Sequence, residues 1–186
     1  MVAGAVGLAT FGLLSTGFVV TELVVLTALV AIERRWVPRV DRWDRGASGE
    51  EEIGRLLEGL GAGWIALHDV DTGRGNIDHV VIGPGGLFTI ETKSHRGRIR
   101  VDRIDPRMLG QAYAQRKWLE RVTGREVEAL LVFSTAYLDR AMARRRGVLV
   151  MTSRLLAKHL GGRQHVLVER EVDAIHGGLV SATSSS

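Results

Sequence analysis

The chain has 186 residues, no cysteine and a formal net charge of +4. The length suits one domain, and the lack of cysteine excludes disulfides, cysteine-ligated zinc and a thiol nucleophile. The basic balance fits a nucleic-acid partner or an anionic membrane surface, and charge alone does not separate the two.

Residues 1–32 predict a transmembrane anchor. From Val2 to Ile32 the sequence contains one charged residue, Glu22, and no proline. A helix of that length would be about 46 Å long, which exceeds the roughly 30 Å hydrocarbon core of a bilayer. A signal peptide fits less well, because no basic region precedes the apolar run and the run is longer than the usual ~7–15 residues.

The charges that flank this segment predict its orientation. Five arginines lie between residues 34 and 45, and no lysine or arginine precedes the apolar run. Since positive flanks stay in the cytoplasm, we expect a single-pass protein of the cell membrane with a cytoplasmic C-terminal domain. Residues 33–45 would form a basic juxtamembrane linker. Glu22 would cost up to roughly 2.5–3.5 kcal/mol at the bilayer centre, so it could pair in an oligomer or lie nearer one edge.

We expect residues 46–180 to form a single α/β domain with a mixed sheet flanked by helices. Residues 181–186 are expected to form a disordered tail. The hydrophobic periodicity and the glycine and proline positions define the elements. Predicted helices cover about residues 48–61, 106–122, 153–160 and 170–178. Predicted strands cover residues 64–70, 77–83, 87–93, 128–134 and 147–152, with a further strand at residues 98–102 near an edge.

Three charged side chains lie on two adjacent apolar strands. Glu91 and Lys93 alternate with apolar residues and therefore project from the same face of their strand, roughly 6–7 Å apart. The short connection Pro84-Gly85-Gly86 makes the preceding strand a plausible antiparallel neighbour, so Asp78 on that strand can approach Glu91. Unpaired charges within such apolar runs would be costly, which favours a functional interpretation.

This arrangement suits metal-dependent attack on a phosphodiester. Carboxylate oxygens are preferred ligands of Mg²⁺ and Mn²⁺. Lys93 could orient the attacking water, offset charge on the phosphate or act as a base. Only three of the 25 basic residues are lysines, so an ammonium at position 93 indicates a specific role. The alternative is a solvent-exposed Glu/Lys pair on an amphipathic strand.

Three stretches together resemble the nuclease-related domain, NERD, of the restriction-endonuclease-like PD-(D/E)xK superfamily. They are Gly46-Ala47-Ser48-Gly49-Glu50, Asn76-Ile77-Asp78-His79-Val80-Val81-Ile82-Gly83-Pro84 and Gly86-Leu87-Phe88-Thr89-Ile90-Glu91-Thr92-Lys93. The resemblance covers about residues 46–134 and implies a restriction-endonuclease-like fold.

The resemblance also implies roles for five side chains. Asp78 and Glu91 would be the metal-binding carboxylates and Lys93 the catalytic lysine. Glu50 would complete the metal site from the first helix, although its neighbours Glu51 and Glu52 leave open which glutamate faces inward. Gln111 matches a glutamine on the helix after the lysine strand, with Gln115 one turn further on. Ile77 replaces the proline of the superfamily name, which does not affect the chemistry.

The basic residues after the third strand predict contact with nucleic acid. Arg96, Arg98 and Arg100 lie close behind Lys93 and would contact a phosphate backbone. Arg144-Arg145-Arg146 is a second basic cluster, which an anionic membrane leaflet would explain equally well. His79 points away from Asp78 by strand alternation, which favours a structural hydrogen bond over metal ligation.

The sequence therefore predicts a membrane-anchored nuclease dependent on Mg²⁺ or Mn²⁺ that hydrolyses DNA in preference to RNA. A non-catalytic nucleic-acid or protein-binding module at the membrane is the first alternative. A small membrane scaffold whose basic residues contact lipid is the second.

Overall fold

The computed structural model describes residues 24, 25, 27 and 48–183. The chain divides into two compact units, Met1–Asp44 and Arg45–Ser186, and the second contains the sheet and its helices. Apart from residues 24, 25 and 27, the predicted anchor at 1–32 and the predicted linker at 33–45 lie outside the described residues. Within the described residues, no helix combines the length and the apolar character needed to cross a membrane.

The second unit contains four described helices and eight strands. The helices are α1 (residues 48–58), α2 (Pro106–Thr123), α3 (Ser153–Gly161) and α4 (Glu169–Thr183). The strands are β1 (Ile65–Asp71), β2 (Asn76–Gly83), β3 (Gly86–Lys93), β4 (Gly97–Ile99), β5 (Val127–Phe133), β6 (Ala136–Leu138), β7 (Met142–Arg145) and β8 (Val148–Thr152). A single 3₁₀ turn, Val101–Arg103, precedes α2.

Six strands form one mixed sheet in the order β1-β2-β3-β5-β8-β7. The first three strands are antiparallel, because short turns join them and the β2–β3 hairpin closes at the pair Gly83↔Gly86. Strands β3, β5 and β8 are parallel, and α2 provides the crossover between β3 and β5. The predicted mixed sheet flanked by helices is confirmed.

The two faces of the sheet pack against different helices. One face carries the buried side chains Val81, Phe88 and Ile90, which pack against α1 and α3. The opposite face carries Val80, Ile82 and Leu87, which pack against α2 and α4. Asp78 and Glu91 belong to this second face by strand alternation, so α2 is the helix positioned above them.

Three features of the fold differ from the sequence predictions. The fourth strand is only three residues long and pairs in parallel with β6 in a separate two-stranded sheet. Strands β6 and β7 were not predicted, because both are short and the arginine-containing β7 occupies a sheet edge. The predicted tail at 181–186 is wrong for residues 181–183, which continue α4. There the Ser181 and Thr183 hydroxyls donate to backbone carbonyls one turn earlier.

Candidate active site

The β2–β3 register brings together the three charged side chains singled out in the sequence. His79 pairs with Ile90, so the next pair along the ladder sets Asp78 opposite Glu91. Lys93 lies two residues beyond Glu91 on the same face, and its Nζ donates a hydrogen bond to Glu91 Oε1. Its side chain remains 30% exposed, whereas that of Glu91 is 1% exposed. The lysine therefore lies at the surface of a site whose glutamate is buried.

Glu91 is held in place through both of its carboxylate oxygens. Lys93 donates to Oε1, and Nε2 of Gln115 donates to Oε2 at 2.5 Å. The same Gln115 nitrogen lies 3.3 Å from the carbonyl oxygen of Asn76 at the start of β2. These hydrogen bonds offset the free-energy cost of burying the charged carboxylate of Glu91, which would be large without them.

Asp78 occupies a half-buried position where a negative charge is unfavourable. Its Oδ2 accepts a hydrogen bond of 2.7 Å from the backbone N–H of Thr92. Burial, and then the negative charge of Glu91, raise the pKa of Asp78 to about 7, against the opposing effect of the Thr92 bond. Two carboxylates that destabilise one another in this way favour the approach of a cation.

Glu50 approaches this pair from the first described turn of α1. Partial burial, followed by the charges of Glu91 and Asp69, raises the pKa of Glu50. The turn sits tightly against the carboxyl ends of β3 and β5, because a Cβ on Gly49 would lie 2.9 Å from Ser134 Oγ. A glycine at this position therefore allows α1 to bring Glu50 towards the site.

A cavity of about 470 Å³ opens beside the carboxylates, between α1 and strands β1 and β2. Glu50, Glu51 and Asp78 are among its lining residues, and Glu52 is not. Of the three consecutive glutamates, Glu50 is the one whose charge acts on Asp78.

The residues present fit a divalent cation held by two protein carboxylates. Mg²⁺ commonly uses one or two carboxylates and completes its shell with water and substrate phosphate oxygens. Within residues 48–183, no group of three or more histidine, aspartate or glutamate side chains is arranged to hold a metal ion. Asp78 and Glu91 are therefore the candidate direct ligands, and Glu50, whose charge acts on Asp78, is the further candidate from α1.

The two glutamines of α2 have different environments. Gln111 is exposed, whereas Gln115 is buried and contacts Glu91. The sequence contains a signal for this difference, because Gln115 continues the buried stripe of α2 formed by Leu109, Ala112 and Leu119. A polar residue in such a stripe needs a polar partner, and Glu91 provides it.

His79 bonds to a second histidine and not to the acidic site. Its Nδ1 lies 2.8 Å from Nδ1 of His68 on β1, so one ring must donate and the other accept. Burial, and then the proximity of His68, lower the pKa of His79 to about 4, which keeps this ring neutral. The geometry agrees with the structural hydrogen bond expected from the sequence.

The three arginines predicted to contact nucleic acid are exposed and follow β3. Arg96 lies in the loop after Lys93, Arg98 in β4, and Arg100 directly after that strand. Arg100 makes an ion pair with Asp102 at 2.9 Å. None of the three makes a described hydrogen bond to Asp78, Glu91 or Lys93, so their position suits contact with a ligand that extends beyond the site.

A larger cavity, of about 520 Å³, lies at the opposite end of β3, where Leu87 lines it. The arginines there are neutralised by acids, and Glu128 accepts from both Arg144 and His159. Burial alone would raise the pKa of Glu128, but these hydrogen bonds outweigh it and hold the pKa at about 2. This cavity lacks the arrangement of two facing carboxylates and a lysine, so the candidate site is the one at Asp78.

Replacement of Gln115 tests whether its hydrogen bond holds the Glu91 carboxylate in place. Gln115→Leu removes the donor to Oε2 and leaves a buried carboxylate oxygen without its partner, which costs about 1–3 kcal/mol of stability. We expect the melting temperature to fall by several degrees and any activity of the site to fall with it. Gln111→Leu is the matched control, one turn earlier and exposed, and should leave both unchanged. Equal effects of the two substitutions would contradict this role.

Residues 45–134 match the family model NERD, the nuclease-related domain. This segment of the chain, which carries Asp78, Glu91, Lys93 and Gln115, is therefore similar to the nuclease-related domain family. The resemblance predicted from the three sequence stretches is confirmed over these residues.

The chain is also similar to part of a curated protein. An uncharacterized protein of Bacillus anthracis is 33% identical over 86 residues, which cover 42% of this chain and 39% of that protein. The chain thus spans about two fifths of the length of this curated relative.

Two solved structures were also found to be similar. A repair endonuclease from Pyrococcus abyssi is 16% identical with a TM-score of 0.32, covering 60% of this chain and 41% of that one. Pyrococcus furiosus SfsA in complex with Ca²⁺ is 14% identical with a TM-score of 0.31, covering 75% and 53%. At these low scores the two structures carry no argument about the site, and the similarity to the nuclease-related domain family rests on the sequence match.

Proposed function

We propose that this protein is a nuclease dependent on Mg²⁺ or Mn²⁺ that hydrolyses phosphodiester bonds, in DNA in preference to RNA. One observation carries the proposal. Asp78 lies opposite Glu91, and Lys93 bonds to Glu91 from the same face, inside the segment that matches the nuclease-related domain family. Two carboxylates, one buried and one half-buried, and an accessible ammonium are groups that suit metal-assisted hydrolysis of a phosphodiester.

Asp78 and Glu91 would hold the cation directly, with Glu50 in contact through water. When bound, the cation would polarise a phosphoryl oxygen and lower the pKa of a coordinated water. The raised pKa of Asp78 supports this assignment, because a nearby cation would relieve the repulsion from Glu91 that contributes to it.

Lys93 is proposed to act on the phosphate and the attacking water. Its Nζ can donate three hydrogen bonds, of which one goes to Glu91. The remaining donors can orient a water and offset the charge that develops on the phosphoryl oxygens. Gln115 fixes Glu91, and Glu91 in turn fixes Lys93, so the ammonium is positioned before substrate arrives.

Nucleic acid and a membrane remain the proposed partners. Arg96, Arg98 and Arg100 lie on the surface that follows the lysine strand and would contact phosphates with a salt-sensitive affinity. The proposed tether at residues 1–32, the cytoplasmic location of the domain and its association into oligomers are supported by the sequence pattern alone.

The proposed activity predicts cleavage that depends on added metal. Purified full-length protein should cut labelled DNA in Mg²⁺ or Mn²⁺ and not in EDTA, with RNA as the parallel substrate. Mn²⁺ at about 100 times its Kd should also stabilise the folded domain by about 2.7 kcal/mol, seen as a raised melting temperature. This stabilisation should be lost in the double variant Asp78→Asn/Glu91→Gln.

The same experiment separates the alternatives. A folded protein that neither cleaves DNA nor gains stability from Mn²⁺ would exclude the metal-dependent nuclease. It would leave a non-catalytic binding module, for which the nucleic-acid affinity should survive the double variant.

A further inference from the structure

Tyr137 on β6 is an exposed aromatic residue beside two arginines. The residue is 65% exposed. Arg98 on β4 is its register partner across the two-stranded sheet, so the two side chains share a face about 5 Å apart at the backbone. From α3, the guanidinium carbon of Arg154 lies 5.8 Å from the centre of the tyrosine ring. The ring remains largely open, so another planar group can stack on it.

Both neighbouring arginines have free charge. Within the part of the chain that the structure describes, neither Arg98 nor Arg154 makes an ion pair. By contrast, Arg116, Arg125 and Arg144 elsewhere on the domain each pair with a glutamate. A guanidinium carries five N–H donors, which match phosphate oxygens well. The surface formed by Tyr137, Arg98 and Arg154, here called the Tyr137 platform, therefore offers an aromatic face with unneutralised positive charge on its flanks.

The Tyr137 platform lies at the same edge of the sheet as Lys93. The backbone N–H of Ser134 donates to the carbonyl of Lys93 at 3.2 Å, and Tyr137 follows three residues later. Three residues span at most about 10 Å. The Ser153 hydroxyl in turn donates to the Ser134 carbonyl at 3.3 Å, which places Arg154 at this edge as well. A strand bound at Lys93 can thus extend onto the platform.

We infer that the Tyr137 platform binds single-stranded nucleic acid by stacking one base on Tyr137 and contacting the flanking phosphates with Arg98 and Arg154. The inference rests on the proposed function and specifies the form of its substrate. Stacking on an exposed aromatic ring requires an unpaired base, because the bases of a duplex are already stacked on one another. The platform therefore favours single strands over intact duplex.

Binding without cleavage tests the platform. Full-length protein is titrated in EDTA against a fluorescent oligothymidylate of about 12 nucleotides, a length within the range that single-strand sites occupy, and anisotropy gives Kd. Tyr137→Ala should weaken binding roughly 5- to 150-fold, the usual effect of losing one base–aromatic stack. Tyr137→Phe, which keeps the ring, should bind like the original protein.

The chain offers a matched control in its second tyrosine. Tyr113 on α2 is 42% exposed and has Lys117 at 5.7 Å from its ring, so it resembles Tyr137 in exposure and cation contact. Tyr113→Ala should leave the affinity unchanged. Arg98→Gln should make the dependence of log Kd on log salt shallower by about 0.7, the slope for one lost single-strand phosphate contact.

Each outcome bears on one proposal. Equal affinities of the Tyr137→Ala and Tyr113→Ala variants would overturn the platform even if the protein cleaves DNA. If Tyr137→Ala weakens the affinity for single strands and for a blunt duplex by the same factor, the stacking role is overturned. If Tyr137→Ala weakens binding of single strands selectively, and the original protein shows no metal-dependent cleavage, the platform is supported and the nuclease is excluded.

Discussion

Asp78→Asn is expected to reduce metal-dependent cleavage of DNA by roughly 10²–10³-fold or more while the domain stays folded. The magnitude is that of removing one group that stabilises charge in a transition state. Asparagine preserves the shape of the side chain and its oxygen can still accept from the Thr92 N–H. The substitution therefore removes the negative charge that would hold the cation and little else. Single-turnover cleavage rates in Mn²⁺ measure the effect.

Lys93→Ala is expected to reduce the rate of DNA cleavage by a similar factor for a different physical reason. The ammonium is the only described donor to Glu91 Oε1, and in the proposed mechanism its remaining N–H groups would contact the phosphate and the attacking water. Binding of Mn²⁺ should survive this substitution, because both carboxylates remain. The Mn²⁺-dependent rise in melting temperature should thus be lost in Asp78→Asn and retained in Lys93→Ala.

Two exposed residues of the same types provide controls. Lys117→Ala and Asp173→Asn change an exposed lysine and an exposed aspartate elsewhere on the domain. Both variants should cleave DNA at the original rate. If Asp78→Asn and Lys93→Ala also retain the original rate while folded, the catalytic centre lies elsewhere in the chain.

Asp78→Asn is also expected to stabilise the metal-free domain at alkaline pH. Burial and the charge of Glu91 raise the folded-state pKa of Asp78 from 3.8 to about 7. A carboxyl group whose pKa is raised on folding favours the folded state below its unfolded pKa, and this contribution is lost as the pH rises through the folded pKa. The penalty should therefore develop between about pH 4 and pH 7 and be complete at pH 8.

The expected size follows from the free energy of each pKa unit. One unit corresponds to about 1.4 kcal/mol, so the charge on Asp78 should cost on the order of 2–4 kcal/mol at pH 8. Urea unfolding in EDTA should show Asp78→Asn to be more stable than the original protein by that amount at pH 8. The difference should shrink towards zero near pH 4.

Metal provides the internal check on this pH effect. Saturating Mn²⁺ should stabilise the original protein and leave the stability of the variant unchanged. The difference in their free energies of unfolding should therefore narrow or change sign. If the variant is less stable than the original protein at pH 8 in EDTA, the carboxylates do not repel one another as the geometry indicates.

The alternation of side chains on β2 and β3 depends only on residues that are neighbours in the sequence. Asp78, Glu91 and Lys93 share a face because a β-strand has a two-residue period, and the two-residue turn between the strands makes them antiparallel neighbours. The sequence therefore predicted that these three side chains lie together on one face. Helix α2 and strands β5 and β8 were also predictable, since each has a strong hydrophobic pattern bounded by glycine, proline or polar residues.

Other features depend on how distant elements pack. The apolar stripe of α2 indicates that Gln115 is buried, but the packing of α2 against the sheet decides that its buried partner is Glu91. In the same way, the seating of α1 at Gly49 determines which of three consecutive glutamates acts on Asp78. The short strands β4 and β6 have too few residues to show a period, and they become strands because they pair with each other.

The sequence by itself determined the chemical groups, the two strands that carry them and their common face, because a strand's repeat and a tight turn are set by neighbouring residues. The tertiary structure alone decided that Gln115 bonds to Glu91, which glutamate approaches Asp78, and that Tyr137 lies beside Arg98 and Arg154 at the edge that carries Lys93. These contacts join residues far apart in the chain, and their geometry follows from the packing of helices and strands that no local pattern specifies.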